Sequence, residues 1–538
     1  MLGVLALQAN DAEQAQRLMA QAIAVAPLHS QVYSNRGNAL RALGRLEEAV
    51  QSYEQAIARK PDYVEAHVNL GNALKDLGRL TDAEAAYGQA LVFQPKFPQA
   101  HFNRGVMLQD LEREEEALNC YRQALQLDPN YIEAHINIAN LFKKLGQLND
   151  ALRHYQEASR FMPQSLEALT NWGVVLHDLG RLDEALEKFD QAIQFHPEDA
   201  QTYANRSATL QELGRHLEAL QSIDRALEIK PNNGLWHTNR GLVLHEMHLV
   251  DEALAAYDRA LQIKTDYPDA SWNKAVALLT YQRFDAGWPL MSFRFKAAGA
   301  KPIPGLIGVP VWKPGMAVSR ALVLAEQGLG DQILYSKYLP LFVERFGPPA
   351  SITLDHRLLP VFVRSFYDLR FVDRLSLLQL NPNDFDLQLN LGDLPELLSL
   401  DPKQMPFLGE PHLQVNMTQP NQLIGIEGIG HRPTIGISWQ SKNAKFGLQK
   451  SMSLLEMMIE LRDIDADWVS LQYGEVEDEI NQVQRELGVK VHQIEGLDVT
   501  NDLDGLFKLI HDCDYVITTS NSTAHLCGAI GKSARGWV

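Results

Sequence analysis

Between about Ser30 and Asp266, small and large apolar positions recur with a stride of 34 residues. The small ones fall at Gly37, Gly71, Gly105, Ala139, Gly173, Ser207, Gly241 and Ala275. Twelve residues after each of the first seven stands an alanine: Ala49, Ala83, Ala117, Ala151, Ala185, Ala219 and Ala253. Four further on comes a large side chain, in turn Tyr53, Tyr87, Tyr121, Tyr155, Phe189, Ile223 and Tyr257, and three more bring alanine again, from Ala56 to Ala260. Spacings of three and four put these residues on one face of a helix. Each unit therefore predicts two antiparallel helices that approach closely over the small residues, with the large side chain filling the groove between them. Gly44, Gly78, Gly146, Gly180 and Gly214 suit a helix C-cap at the inner turn. Pro61, Pro95, Pro129, Pro163, Pro197 and Pro231 end the second helix and start the next unit.

Period, small residues and closing proline together resemble the tetratricopeptide repeat. The resemblance implies an α-solenoid, a superhelix over residues 1–295 whose concave face takes a polypeptide. Seven full units run from about 30 to 266. Gly3 stands 34 residues before Gly37, so the chain is expected to open inside a repeat whose earlier turns lie upstream. At the other end, an eighth first helix (Pro268 to Leu279) leads into FDAGWPLMSFRF instead of a standard second helix. Asparagine returns in every unit, at Asn35, Asn69, Asn103, Asn137, Asn171, Asn205, Asn239 and Asn273, although it is a middling helix former. Two readings stand. The amides form a ladder that holds an extended peptide backbone without reading its side chains, or each bonds a neighbouring helix.

Beyond a Pro/Gly-rich connector at 296–317, the pattern changes to apolar runs of strand length alternating with helical spacing. ALVLAE leads through QGLGDQ into ILYSKYLPLFVERF; SITLD, HRLLPVFVRSFY, a short RFVD, DFDLQLN and LPELLSL follow. A loop rich in Pro, Asn and Gln separates these from a second series that begins at TIGISWQ and includes WVSLQY, VKVHQ and YVITTS. Alternating β and α segments predict parallel sheets covered by helices. Two such series predict two Rossmann-like lobes, a front one at 318–425 and a rear one at 426–538, with ligands bound beyond the carboxyl ends of the strands.

Composition narrows the function. Apolar residues make up 46% of 538 residues, enough for real cores, and 67 acidic against 49 basic residues give a formal charge of −18. With no local basic patch, nucleic-acid binding is not expected. Three cysteines (Cys120, Cys513 and Cys527) support neither a disulfide framework nor a zinc module and read as a reduced, cytoplasmic protein. No apolar run is long enough for a transmembrane helix, and the start lacks the features of a secretory signal.

FDAGWP, AEQGLGDQILYSKYLP and VITTSNSTAHLCGAIGK resemble bacterial proteins that join tetratricopeptide repeats to a glycosyltransferase domain similar to the heptosyltransferases. The plan is also similar to that of the protein O-GlcNAc transferases. The resemblance implies a two-lobed GT-B-like domain with Rossmann-like parallel sheets. It implies transfer of a sugar from a nucleotide-sugar donor, with no metal and no cofactor, to an acceptor such as a protein Ser or Thr held by the repeats. In the Gln327-Gly328-Leu329-Gly330-Asp331 turn, Gly328 and Gly330 let backbone approach a ligand. By resemblance Asp331 is the base, although helix N-capping is the competing role. Ser520, Asn521, Ser522, Thr523 and His525 lie between a strand and an apolar helix, where free amides favour the donor diphosphate. The heptosyltransferases usually carry Asp-Thr-Gly before that histidine, so Ser520-Asn521-Ser522 is a departure. His525 otherwise reads as a satisfied buried histidine. Ser438, Lys442, Lys445 and Lys450 follow the first rear-lobe strand, and the lysines are candidate neutralisers or ordinary surface charges. Glu475 is a candidate ribose contact, and the EVEDE run around it reads as a solvated helix start.

The family continues past GAIGK through a further strand and a returning helix, whereas this sequence ends at SARGWV, so the rear sheet is expected to lack at least one strand. A scaffold that binds peptide through its repeats, with an inactive or truncated transferase half, is the alternative to an enzyme.

Overall fold

A computed structural model describes residues 2–9, 11–25, 28–299, 305–325, 328–399, 410–430, 432–440, 451–519 and 522–536. The chain divides into two compact units, Met1–Leu249 and Val250–Val538.

Unit 1 is built of paired helices such as Val64–Asp76 with Leu80–Phe93 and Pro98–Asp110 with Glu114–Leu127. The small residues do what their spacing predicts. A Cβ built on Gly37 would stand 2.5 Å from the ring of Tyr53, and one on Gly71 2.6 Å from that of Tyr87. Gly105 and Gly173 stand in the same relation to Tyr121 and Phe189. Where serine replaces glycine, at Ser207, the opposing aromatic has become Ile223, and the serine hydroxyl donates to the Ala219 carbonyl at 2.7 Å. The inner-turn glycines adopt left-handed φ between 71° at Gly214 and 76° at Gly78. Glu112 and His248 take the same conformation without being glycine.

A second recurring bond escaped the pattern analysis. His67, His101 and His237 each donate Nε2–H to the carbonyl of a closing proline six residues earlier (Pro61, Pro95, Pro231), at 2.8–2.9 Å. The ring tethers the start of each first helix to the turn before it.

In unit 2 the repeat pattern continues through Val250–Ile263 and Pro268–Thr280, then breaks into a short helix, Phe284–Gly287, and a 3-10 segment, Trp288–Phe295. The expected break between repeats and α/β region at 295 is thus not where the compact units divide. The last repeat segments belong with the α/β region.

Nine parallel strands form two sheets among the described residues: β1 (Ala321–Leu324), β2 (Ser351–Leu354), β3 (Phe371–Asp373), β4 (Leu387–Asn390), β5 (Thr434–Ser438), β6 (Asp467–Ser470), β7 (Val491–His492), β8 (Tyr515–Thr518) and β9 (Ala534–Gly536). The front sheet runs β3-β2-β1-β4 and the rear sheet β7-β6-β5-β8-β9. Every residue of β1, β2, β5 and β6 is buried, as parallel strands covered on both faces require. Ala534–Gly536 form β9 beside β8.

The connector also differs from a free linker. Leu306, Val309 and Trp312 are buried, and Gln388 of β4 holds them: its Oε1 accepts from Leu306 N at 2.7 Å and its Nε2 donates to the Val309 carbonyl at 2.7 Å. The two lobes share one continuous core that joins Ile333, Leu339 and Phe342 of the front to Leu506, Phe507 and Leu526 of the rear.

Candidate functional site

Strand order reverses twice in these sheets. β1 leads to β2 and β3 on one side while β4 lies on the other; β5 leads to β6 and β7 on one side while β8 lies on the other. The carboxyl ends of strands at such switch points are where open α/β sheets bind ligands. Asp331 follows β1 and Asp393 follows β4, whereas Ser438 ends β5 and Ser522 follows β8.

Gly328 is the N-cap of the helix Leu329–Ser336, which puts Asp331 in its first turn instead of at the cap. The Asp331 carboxylate accepts a hydrogen bond from the Gly328 backbone N–H, closing the turn on itself. A Cβ on Gly328 would lie 2.9 Å from Asp331 Oδ2, so the carboxylate sits close over this glycine. Gly330 has a different task. A Cβ there would come within 2.8 Å of Cδ2 of His525, which belongs to the rear-lobe helix Ser522–Ala529. The two helices pack on each other, and the close approach that the glycine allows is to this imidazole. The site therefore joins Gly328, Gly330, Asp331 and His525 across the two lobes, and His525 is exposed instead of buried.

Asp331 is exposed to solvent. Desolvation by the surrounding protein is the largest influence on it and raises its pKa above the ordinary carboxylate value. His525, the Gly328 amide and Arg294 pull in the opposite direction without cancelling that rise.

The inter-lobe segment braces the helix of Asp331. The backbone N–H groups of His412 and Leu413 donate to the Ala529 carbonyl at 2.9 and 3.0 Å, while His412 Nε2 lies 3.0 Å from Ser336 Oγ and 3.1 Å from the Ile333 carbonyl. Burial drives the His412 pKa down to about 4, so the ring is a neutral strut at physiological pH.

Other expected site residues are placed differently. Ser438 is fully buried: its hydroxyl donates to Gln472 Oε1 at 3.1 Å and accepts from Thr523 Oγ1 at 3.3 Å. Both side chains are engaged inside the rear lobe, tying the end of β5 to the start of the helix after β8. Gln472 Oε1 also accepts from the backbone N–H of Trp439 and of Gln440, each at 2.9 Å. Glu475 is exposed and precedes the helix Glu477–Leu487. The EVEDE run is not wholly a solvated face. Glu479 accepts from Trp439 Nε1 at 2.9 Å, Gln440 Nε2 at 2.8 Å and Leu454 N at 3.2 Å, holding both flanks of residues 441–450. Lys442, Lys445, Lys450, Gln327, Ser520 and Asn521 lie outside the described residues.

In the repeats, every ladder asparagine is half-buried. Asn103 Nδ2 donates to Asn72 Oδ1 at 3.4 Å and Asn171 Nδ2 to Asn140 Oδ1 at 3.2 Å, each reaching the preceding unit. Asn72 also accepts from Tyr87 Oη at 2.8 Å. Asn137 donates to Tyr121 Oη at 3.4 Å, and Asn205 accepts from Gln201 Nε2 at 2.9 Å. Asn103, Asn137 and Asn171 thus bond neighbouring helices, whereas the Asn205 bond stays within its own helix.

Sequence reasoning missed Arg294, Asp393, Gln472, Glu479 and His412. Arg294 alone left a signal, a cation inside the apolar, aromatic run WPLMSFRF.

Among the described residues no group of three or more His, Cys, Asp or Glu is arranged to hold a metal ion. No described helix is long and apolar enough to cross a membrane. Models of the tetratricopeptide repeat match residues 37–78, 71–111 and 108–146, and others match 164–232 and 208–269. Protein FlbA of Caulobacter vibrioides is 32% identical over 280 residues, covering 48% of this chain and 46% of FlbA. The chain thus spans about half the length of the curated relative it matches. Among solved structures, similarity extends to YrrB, described as a TPR protein with an unusual peptide-binding site (25% identity, TM-score 0.32, 35% of this chain and 96% of that one). The MamA protein (21%, TM-score 0.30, 32% and 94%) and the Cut9–Hcn1 hetero-tetramer of the APC/C (17%, TM-score 0.37, 50% and 52%) are similar as well. The chain is a tetratricopeptide-repeat protein that carries, after its repeats, an α/β region of two parallel sheets.

Proposed function

We propose that the chain is a metal-independent, GT-B-like glycosyltransferase that moves a sugar from a nucleotide-sugar donor to a protein Ser or Thr recruited by the repeats. One observation carries the reading: Asp331, at the carboxyl end of β1, lies beside His525 of the other lobe, over a glycine that leaves room for the imidazole. In the proposed step the acceptor oxygen attacks the anomeric carbon and its proton passes to an Asp331 oxygen. The bond from that carbon to the diphosphate breaks, and the nucleoside diphosphate leaves with the electron pair. A raised Asp331 pKa makes the carboxylate a stronger base than an ordinary aspartate. The backbone amides at the start of Ser522–Ala529, with Lys442, Lys445 or Lys450, are the proposed partners of the leaving charge, and His525 is proposed to bond phosphate or sugar. Glu475 is a proposed ribose contact. Buried, unpaired Cys120, Cys513 and Cys527 agree with a cytoplasmic site of action.

The repeats are proposed to bind polypeptide through their half-buried asparagines. A scaffold reading, with an inactive α/β region, is favoured by one observation. Ser438 and Thr523, expected at the donor, are buried and engaged with each other and with Gln472. A panel of nucleotide sugars separates the two. Donor turnover that D331A abolishes supports the transferase. Capture of peptides by the full chain, with no donor turnover and no stabilisation by any nucleotide, supports the scaffold.

A further inference from the structure

The loops that leave β1 and β4 flank the front switch point, and a third element reaches the same edge. It is Trp288–Phe295, the segment that stands where the second helix of an eighth repeat would begin. This segment packs against Pro268–Thr280 on one side and against Leu391–Asp393 and Leu394–Leu397 on the other. Leu391–Asp393 packs in turn on the helix of Asp331. Arg294 is the segment's single charge. Its Nη2 donates to Asp393 Oδ1 at 2.7 Å, its Nη1 donates to the Met291 carbonyl at 2.8 Å, and its guanidinium lies 4.1 Å from the centre of the Phe295 ring. Asp393 Oδ2 accepts from Asn390 N at 2.9 Å and from Asn390 Nδ2 at 3.0 Å, at the very end of β4. The Arg294 side chain is 9% exposed and that of Asp393 13%. A buried pair of this kind is a poor source of net stability, because both charges leave water, but it fixes one geometry.

We propose that Arg294 is a positioning residue of the transfer site. Its buried pair with Asp393 pins the last repeat segment to the β4 loop, and so sets both the seat of the helix carrying Asp331 and the positive charge that Asp331 faces. The proposal rests on the reading of Asp331 as the base. Two groups besides the Gly328 amide act on Asp331, His525 from the rear lobe and Arg294 from the repeat end. Arg294 in turn faces Asp393 and Glu396. Glu396 is pushed up by burial and by Asp393, and drawn down by Arg294. Taking away the guanidinium removes one of the influences that hold the Asp331 pKa down.

The test uses the full chain as wild type, R294M and R294K, with folding checked by circular dichroism; R294Q replaces R294M should the latter not fold. Asp331 is titrated by carbodiimide labelling against pH, read by peptide mass spectrometry, and transfer is followed with whichever donor the wild type accepts. In R294M the labelling midpoint of Asp331 is expected to move to higher pH, with kcat down about tenfold and the donor KM unchanged, as displacement of a catalytic group produces. R294K, which keeps the charge, is expected to restore the midpoint. Coincident midpoints for folded R294M and wild type would overturn the proposal. A wild type that labels normally but turns over no nucleotide sugar sinks the transferase reading instead, and the labelling comparison still decides what Arg294 does to Asp331.

Discussion

The repeats and the α/β region are stabilised on opposite principles. In unit 1 one contact, a small residue under a large ring, is made again and again, and each copy touches only its neighbours. In unit 2 the decisive contacts are made once. Gln472 gathers three donors on a single oxygen, Glu479 accepts from Trp439, Gln440 and Leu454, and Arg294 meets one carboxylate. Redundancy lets the array tolerate Ala139, Ser207 and a non-glycine turn at Glu112. Singular contacts leave no such margin, and they are where a chemical site is set.

Substitutions on each side test that contrast. The largest effect is expected at Asp331. D331N should cost about 10²–10⁴-fold in sugar transfer while leaving the melting temperature nearly unchanged, measured by steady-state assay and calorimetry. The pH profile of the wild type sharpens the same point. Because the Asp331 pKa is raised, the working carboxylate is present above that pKa and transfer is lost as pH falls through it, so the acid limb should lie above the ordinary carboxylate range and vanish in D331N.

A repeat substitution should show the reverse split. Tyr87→Ala empties the groove over Gly71 and should destabilise unit 1 by about 3–5 kcal/mol in urea unfolding, with kcat of the α/β region retained below the transition. Loss of kcat in step with unit 1 stability would break the comparison. Glu479→Gln comes next. An amide cannot accept from all three donors, and a cost of about 1–3 kcal/mol is expected in unit 2, confined to the rear lobe by hydrogen exchange. The smallest effect is a gain. Glu112 sits at φ 59°, a left-handed position that its sister turns fill with glycine, so Glu112→Gly should stabilise unit 1 by up to about 1 kcal/mol in the same urea series.

The same contrast explains what was legible beforehand. Helix pairing in the repeats could be read residue by residue, because Gly37 and Tyr53 announce their contact seven times over through their equivalents. Parallel strands were legible as apolar runs, since β1, β2, β5 and β6 are buried on both faces. Asp331 and His525 stood out through the turn and helix start that carry them, but their proximity across two lobes is a tertiary fact that no local pattern encodes. The burial of Ser438 was illegible for a related reason. A serine at the carboxyl end of a strand faces ligand or core depending on what lies behind it, and here Gln472 and Thr523 do. Among the ladder asparagines, Asn103 and Asn171 reach across to the preceding units. Their period alone could not show that Asn72 and Asn140 of the preceding units would accept them.

The seam between the compact units falls at Leu249 and Val250, inside a repeat and well ahead of the α/β region. Whole 34-residue modules upstream of that seam are therefore interchangeable parts, because none of them supplies Pro268–Thr280, Trp288–Phe295 or Arg294. Duplicating or deleting one such module alters how many rungs the array presents and leaves the second unit's own contacts intact. Reach and chemistry can in this way be inherited, and changed, separately.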